Sequence, residues 1–381
     1  LLAFSLITGI LLSGSAKAQD QARIAYFNAG TTYSVHPEFL QRTKAAGYNY
    51  VQVELGLVGS DWDGRGGLSG SSLRTKMRDL FAQADAHGLR VIPEFQLGGQ
   101  WASHWRVTNA NITWNWNTSQ SVGTPTFAPD PSGIDASFSS LIRAIKDGFA
   151  DAVANGLSYK NLDFIHIGHD EPVDIQKDIG LLLIGRCNAD TSVINTYRAS
   201  PNNLTLEQAF QRLYGDEVKR RVDAIASILP TTKALAYADI LDPSHNGAIA
   251  YATTYGPSVT MANAVLSPGI QAVRNKLVVM PWVYDVIAPT GRDYDTYKTF
   301  THFKNAGLPF IYGMEAFSGN GTSFTQLGEF IGNANLPEFR AYANGFASMH
   351  WTPWKPGTAA PACYASLEYV SQWAYHLYAS F

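Results

Sequence analysis

The chain has 381 residues, 46% of them hydrophobic and 15% charged, which is enough apolar side chain for a large core and argues against disorder. A formal net charge of −3 leaves no basic footprint for nucleic acid and no acidic tail. The leading apolar run is too short to span a bilayer, and no later stretch resembles a membrane span.

The chain starts with an apolar run, Leu1 to Leu12, followed by small and polar residues ending in Ala16-Lys17-Ala18 before Gln19. This reads as part of a signal peptide with an A-x-A cleavage site. The expected division is a partial signal peptide at 1–18 and one folded domain at 19–381, secreted or periplasmic and free of the membrane after cleavage.

Short β-rich runs then alternate with amphipathic segments. Arg23 to Asn28 reads as a first strand, Pro37 to Ala46 as a helix, Tyr48 to Leu55 as a second strand and Ser72 to His87 as a second helix. Leu89 to Gln96 is a third strand, followed by a loop carrying Trp101, Trp105, Trp114 and Trp116, and then a helix near Ala136 to Ala154. A fourth strand spans Leu162 to Gly168, a helix Leu206 to Leu229, and a fifth strand Ala234 to Asp239. Lys276 to Trp282, Pro309 to Met314 and Phe346 to Trp351 complete the strands, with helices near Tyr294 to Asn305 and over Tyr364 to Tyr378.

Three helices stop at a glycine before the next strand, at Gly47, Gly88 and Gly307, as a left-handed C-cap requires. Strand–helix alternation repeated about eight times predicts an α/β fold, a single (β/α)8 TIM barrel. A doubly wound open sheet fits less well, because no glycine-rich phosphate turn follows the first strand.

In such a barrel the chemistry sits at the C-terminal strand ends. There the sequence places Glu94 on the third strand, His166 to Glu171 on and after the fourth, Asp239 on the fifth, Trp282 and Tyr284 at the sixth, Glu315 after the seventh, and Trp351 at the eighth. Aromatic faces stack on sugar rings, carboxylates bind hydroxyls, and a carboxylic acid protonates a glycosidic oxygen. The set therefore points to a carbohydrate substrate and a glycosidase. Asp170 and Glu171 are adjacent acids that resist joint ionisation, which suits a general acid. No metal or other cofactor is expected: H-E-x-x-H and H-x-x-E-H spacings are absent.

The His166-Ile167-Gly168-His169-Asp170-Glu171 segment resembles the His-x-Gly-Gly-Asp-Glu signature of the β-N-acetylhexosaminidases of glycoside hydrolase family 20. Val91-Ile92-Pro93-Glu94-Phe95 is similar to that family's third-strand run, and Lys233 to Asp242 to its fifth-strand segment. The resemblance implies that Glu171 is the acid and that Asp170 orients a substrate 2-acetamido group, which attacks the anomeric carbon with net retention. It implies that His166 supports the site and that Trp282 and Trp351 wall an acetamido pocket. Glu94, Trp101, Asp239, Tyr284 and Glu315 are the further expected sugar contacts.

The sequence departs from the family at several points. No Arg follows the first strand, Gln96 and Gln100 replace an Asp and a His, and His169 replaces the second glycine. Two alternatives stay open. In the first, a retaining β-glycosidase uses Glu171 as acid/base and Glu315 as nucleophile. In the second, a non-catalytic barrel only binds carbohydrate. Cys187 and Cys363 either pair in an oxidising compartment or remain thiols.

Overall fold

Most of the strand runs carry apolar side chains on both faces, which suits a parallel sheet covered on both sides. The computed structural model shows that arrangement: the chain forms a closed eight-stranded (β/α)8 barrel. The structure describes residues 21–30, 34–55, 70–97, 126–131, 134–169, 172–174, 181–283, 295–314, 332–333 and 336–348. The segment 1–18, the tryptophan loop after the third strand and the helix expected over Tyr364 to Tyr378 lie outside these residues.

The barrel strands are β1 (Ala22–Gly30), β2 (Tyr50–Leu55), β3 (Arg90–Leu97), β4 (Phe164–Gly168), β5 (Lys233–Tyr237), β6 (Leu277–Met280), β7 (Phe310–Met314) and β8 (Ala343–Ser348). Pro281 interrupts β6, which resumes at Trp282–Val283 and pairs there with β7. All neighbouring pairs are parallel, and β8 closes the ring by pairing with both β7 and β1. One register line runs Asn28–Glu54–Glu94–His166–Leu235–Val278 from β1 to β6.

Helices α1 (Pro37–Ala45), α2 (Gly70–Asp85), α3 (Ile134–Ala154), α4 (Asn188–Arg198), α5 (Leu206–Ile228), α6 (Pro268–Val273) and α7 (Thr296–Asn305) accompany the strands. The longest, α5, starts at a capping box between Thr205 and Gln208 and buries Phe210, Leu213, Tyr214, Val218, Val222 and Ile225. Gly47, Gly88 and Gly307 follow α1, α2 and α7 with positive φ, which are the left-handed stops the sequence predicts. No described helix is long and apolar enough to cross a membrane.

Period-two alternation divides the apolar residues between two cores. One lies between strands and helices. The other fills the lumen with Ile24, Tyr26, Tyr50, Ile92, Leu235, Tyr237, Val278, Met280, Trp282, Ile311 and Ala347. At the N-terminal end of the barrel, Arg90 pairs with Asp163 at 2.6 Å and lies 4.7 Å from the Tyr159 ring centre, while the Tyr50 hydroxyl donates to Asp163 at 2.7 Å.

Among the described residues, the structure differs from the sequence expectation at several points. Helix α4 was not expected: its sequence is polar, and it buries only Asp190 and Ile194. Between β5 and β6 the chain makes three 3-10 turns and the six-residue α6, too short for a helical period to show. Strand β8 begins at Ala343, three residues earlier than expected, because an irregularity in its pairing with β7 admits the Ala343-Asn344-Gly345 stretch.

Candidate active site

The mouth of the lumen is built from alternate residues of β1 to β5. Glu54 and Glu94 are register partners on adjacent strands, and His166 partners Glu94 on the other side. Facing positions on neighbouring strands stand about 5 Å apart, so the two carboxyls share one environment. Tyr26 donates its hydroxyl proton to Glu54 Oε2. Gln52 Nε2 donates to Glu94 Oε2 at 2.8 Å and to the Tyr237 hydroxyl at 3.0 Å, and Tyr237 is itself hydrogen-bonded to Glu94.

Glu94 is fully buried, and its pKa is pushed up to about 8, by burial first and by the neighbouring Glu54 second. Burial also raises Glu54, against the opposing hydrogen bond from Tyr26. At neutral pH Glu94 is therefore a neutral acid. His166 is held well below the ordinary histidine range by burial and by His169. Its Nδ1 accepts the Gly168 N–H at 3.0 Å, so the proton of the neutral ring sits on Nε2. The 3.8 Å separation of His166 Nδ1 and Glu94 Oε1 is then a contact between two neutral groups and not an ion pair.

That Gly168–His166 bond ties the lumen to the turn that leaves β4. Gly168 has φ +75° and His169 φ +68°, two successive left-handed residues. A glycine adopts this backbone freely and a histidine at a cost of about 1–2 kcal/mol, which gives a physical reason for Gly-Gly in the signature that this segment resembles. The His169 ring turns away from the lumen and meets Tyr214 of α5 edge-on at 5.7 Å. His169 Nε2 lies 3.8 Å from Glu217 Oε1, too far for a hydrogen bond. Arg221 anchors that carboxylate at 2.8 Å and Asp135 of α3 at 2.9 Å. Burial opposes ionisation of Glu217, but the Arg221 guanidinium outweighs it and holds its pKa far below the ordinary range.

Asp170 and Glu171 lie outside the described residues; their chain neighbours His169 and Pro172 are both buried. Trp101, Tyr284, Glu315, Trp351 and Cys363 also lie outside them. Of the other expected contacts, Glu94 and His166 meet in the lumen. Asp239 is buried in the turn after β5, where Asn246 Nδ2 donates to it at 2.9 Å. Trp282 is buried in the lumen, where its ring meets His245 edge-on at 4.8 Å. Cys187 is a buried free thiol that caps α4.

Sequence reasoning missed Tyr26, Gln52, Glu54 and Tyr237. The signal was present in Tyr50-Val51-Gln52-Val53-Glu54, where polar groups recur every second residue within an otherwise apolar strand. Among the described residues, no group of three or more His, Cys, Asp or Glu is placed to hold a metal ion.

No known protein family and no curated protein matches the sequence. Solved structures do share the fold. XacCel5A aligns with a TM-score of 0.51 at 10% identity, over 92% of this chain and 99% of that one. Thermotoga maritima Cel5A in complex with cellobiose gives 0.47 at 10% identity, over 92% and 99%. D-psicose 3-epimerase of Clostridium cellulolyticum H10 with D-tagatose gives 0.46 at 10% identity, over 94% and 99%. At these identities the likeness concerns the barrel fold alone.

Proposed function

We propose that the chain is a retaining glycoside hydrolase in which Glu171 protonates the leaving glycosidic oxygen and Glu315 attacks the anomeric carbon. The observation that carries this reading is the registered layer Glu54–Glu94–His166 at the lumen mouth, bonded through Gly168 to the turn that leads into Asp170 and Glu171. Glu315 directly follows the last residue of β7. Strands four and seven stand on different sides of a closed eight-stranded ring, so acids following them can flank one sugar ring. Glu171 gives its proton to the departing oxygen as Glu315 bonds to the anomeric carbon. Water then attacks that carbon, its proton returns to Glu171, and Glu315 is released.

A second reading has one specific support. The left-handed pair Gly168–His169 has the backbone that suits the Gly-Gly of the acetamido-using signature. There Asp170 orients the substrate acetamido group, which replaces Glu315 as nucleophile, and Glu171 remains the acid.

A panel of chromogenic β-glycosides, glucoside and N-acetylglucosaminide included, tests both. Turnover should fall about 10²–10⁴-fold in Glu171→Gln. In the Glu315 route, Glu315→Gln should abolish turnover and a 2-fluoro glycoside should label the peptide holding Glu315. Severe loss in Asp170→Asn, with inhibition by an acetamido-mimicking thiazoline, would select the second reading. A wild-type protein that cleaves none of the panel would sink both.

A further inference from the structure

We infer that Glu54, at the rim of the lumen, binds a hydroxyl of the sugar ring that enters the barrel mouth, and that Tyr26, Gln52, Glu94 and Tyr237 position it. The ligand class rests on the glycosidase reading; the subsite itself rests on the geometry.

Glu54 is the part-exposed member of the carboxyl pair, whereas Glu94 behind it is fully buried. Tyr26 fixes one Glu54 oxygen. Two further lumen atoms have no hydrogen-bond partner among the described residues: the Gln52 Oε1 acceptor and the His166 Nε2 donor, both on fully buried side chains. A buried donor and a buried acceptor without partners each cost about 1–3 kcal/mol, which marks the layer behind Glu54 as polar and under-satisfied. A part-exposed carboxyl group backed by such a layer suits a polyol, since each hydroxyl can give it a hydrogen bond.

Among the described residues, the groups facing Glu94 are Glu54 and Gln52 from β2, His166 from β4 and Tyr237 from β5, with Tyr26 of β1 beyond Glu54. While Glu94 keeps its proton it adds no charge beside Glu54. Once Glu94 loses it, near pH 8, two like charges face each other and the subsite is disrupted.

The test is calorimetric titration of the full chain, carried in the Glu171→Gln background so that no probe is consumed. The probes are cellobiose, xylobiose, mannobiose and N,N′-diacetylchitobiose. Adding Glu54→Gln should weaken binding about tenfold or more, and Tyr26→Phe about two- to fivefold. Binding should weaken above about pH 8 in the parent and stay flat in Glu94→Gln, a difference that a merely structural role would not produce. If Glu54→Gln fails to fold, Tyr26→Phe and the Glu94→Gln pH profile still decide.

Affinity within twofold of the parent in Glu54→Gln, or in both surviving tests, would overturn this inference and leave the hydrolase reading intact. Glu54-dependent binding by a wild type that cleaves no glycoside would overturn the hydrolase reading alone. A parent that binds none of the four probes would overturn both.

Discussion

The two sides of the barrel lumen are built from the same alternation but carry opposite chemistry. From β1 to β5 the mouth presents Tyr26, Gln52, Glu54, Glu94, His166 and Tyr237. From β6 to β8 it presents Val278, Met280, Trp282, Ile311 and Ala347. Both sides are largely buried, yet among the described residues only the first contains groups whose ionisation can change. A sheet with one hydrogen-bonding pattern can therefore concentrate its polar residues in one arc and leave the opposite arc to hold the ring closed by packing.

The largest effect should come from the apolar arc. Ile311 is fully buried there, and Ile311→Ala should destabilise the fold by about 2–5 kcal/mol, by lost transfer energy plus a cavity. Chemical denaturation should show that loss unchanged from about pH 5 to about pH 9, because no titrating group is involved. A loss that varied with pH would mean that the two arcs are coupled.

Next in size is Glu94→Gln, whose effect should depend on pH. The folded pKa near 8 lies above the ordinary 4.5, so between those values the folded chain holds a proton that the unfolded chain has released. The proton excess lies on the folded side, so wild-type stability falls as pH rises through this window and levels off above it. Glutamine does not titrate. The variant should therefore gain on the wild type by a few kcal/mol between about pH 5 and about pH 9. A constant difference across that range would show that Glu94 ionises normally.

The difference between the arcs also explains what the sequence made legible. The barrel could be read because apolar alternation, glycine stops and helix spacing repeat around the ring, so an error in one unit does not spoil the rest. Glu94 and His166 were legible because each stands near a strand end beside a recognisable run. Glu54 and Gln52 escaped because a carboxylate within an apolar strand gains meaning only from its neighbour across the sheet, and register is not written in one strand. His169, which adjoins the acids in sequence, packs its side chain against α5.

The sharpest comparison is at the seam, where Tyr237 of β5 and Met280 of β6 are register partners in the lumen. Met280→Leu conserves volume and should cost less than about 1.5 kcal/mol. Tyr237→Phe removes a hydroxyl that accepts from Gln52 and bonds to Glu94, and should cost about 1 kcal/mol. Denaturation at one pH would hardly separate the two variants. A pH series should, because the Tyr237 hydrogen bond favours the ionised form of Glu94, and its loss moves that titration upward from about 8. The pH above which stability levels off should rise in Tyr237→Phe and stay in place in Met280→Leu. Equal displacement in both variants would mean that packing sets the Glu94 titration, and the boundary between the arcs would then lie elsewhere.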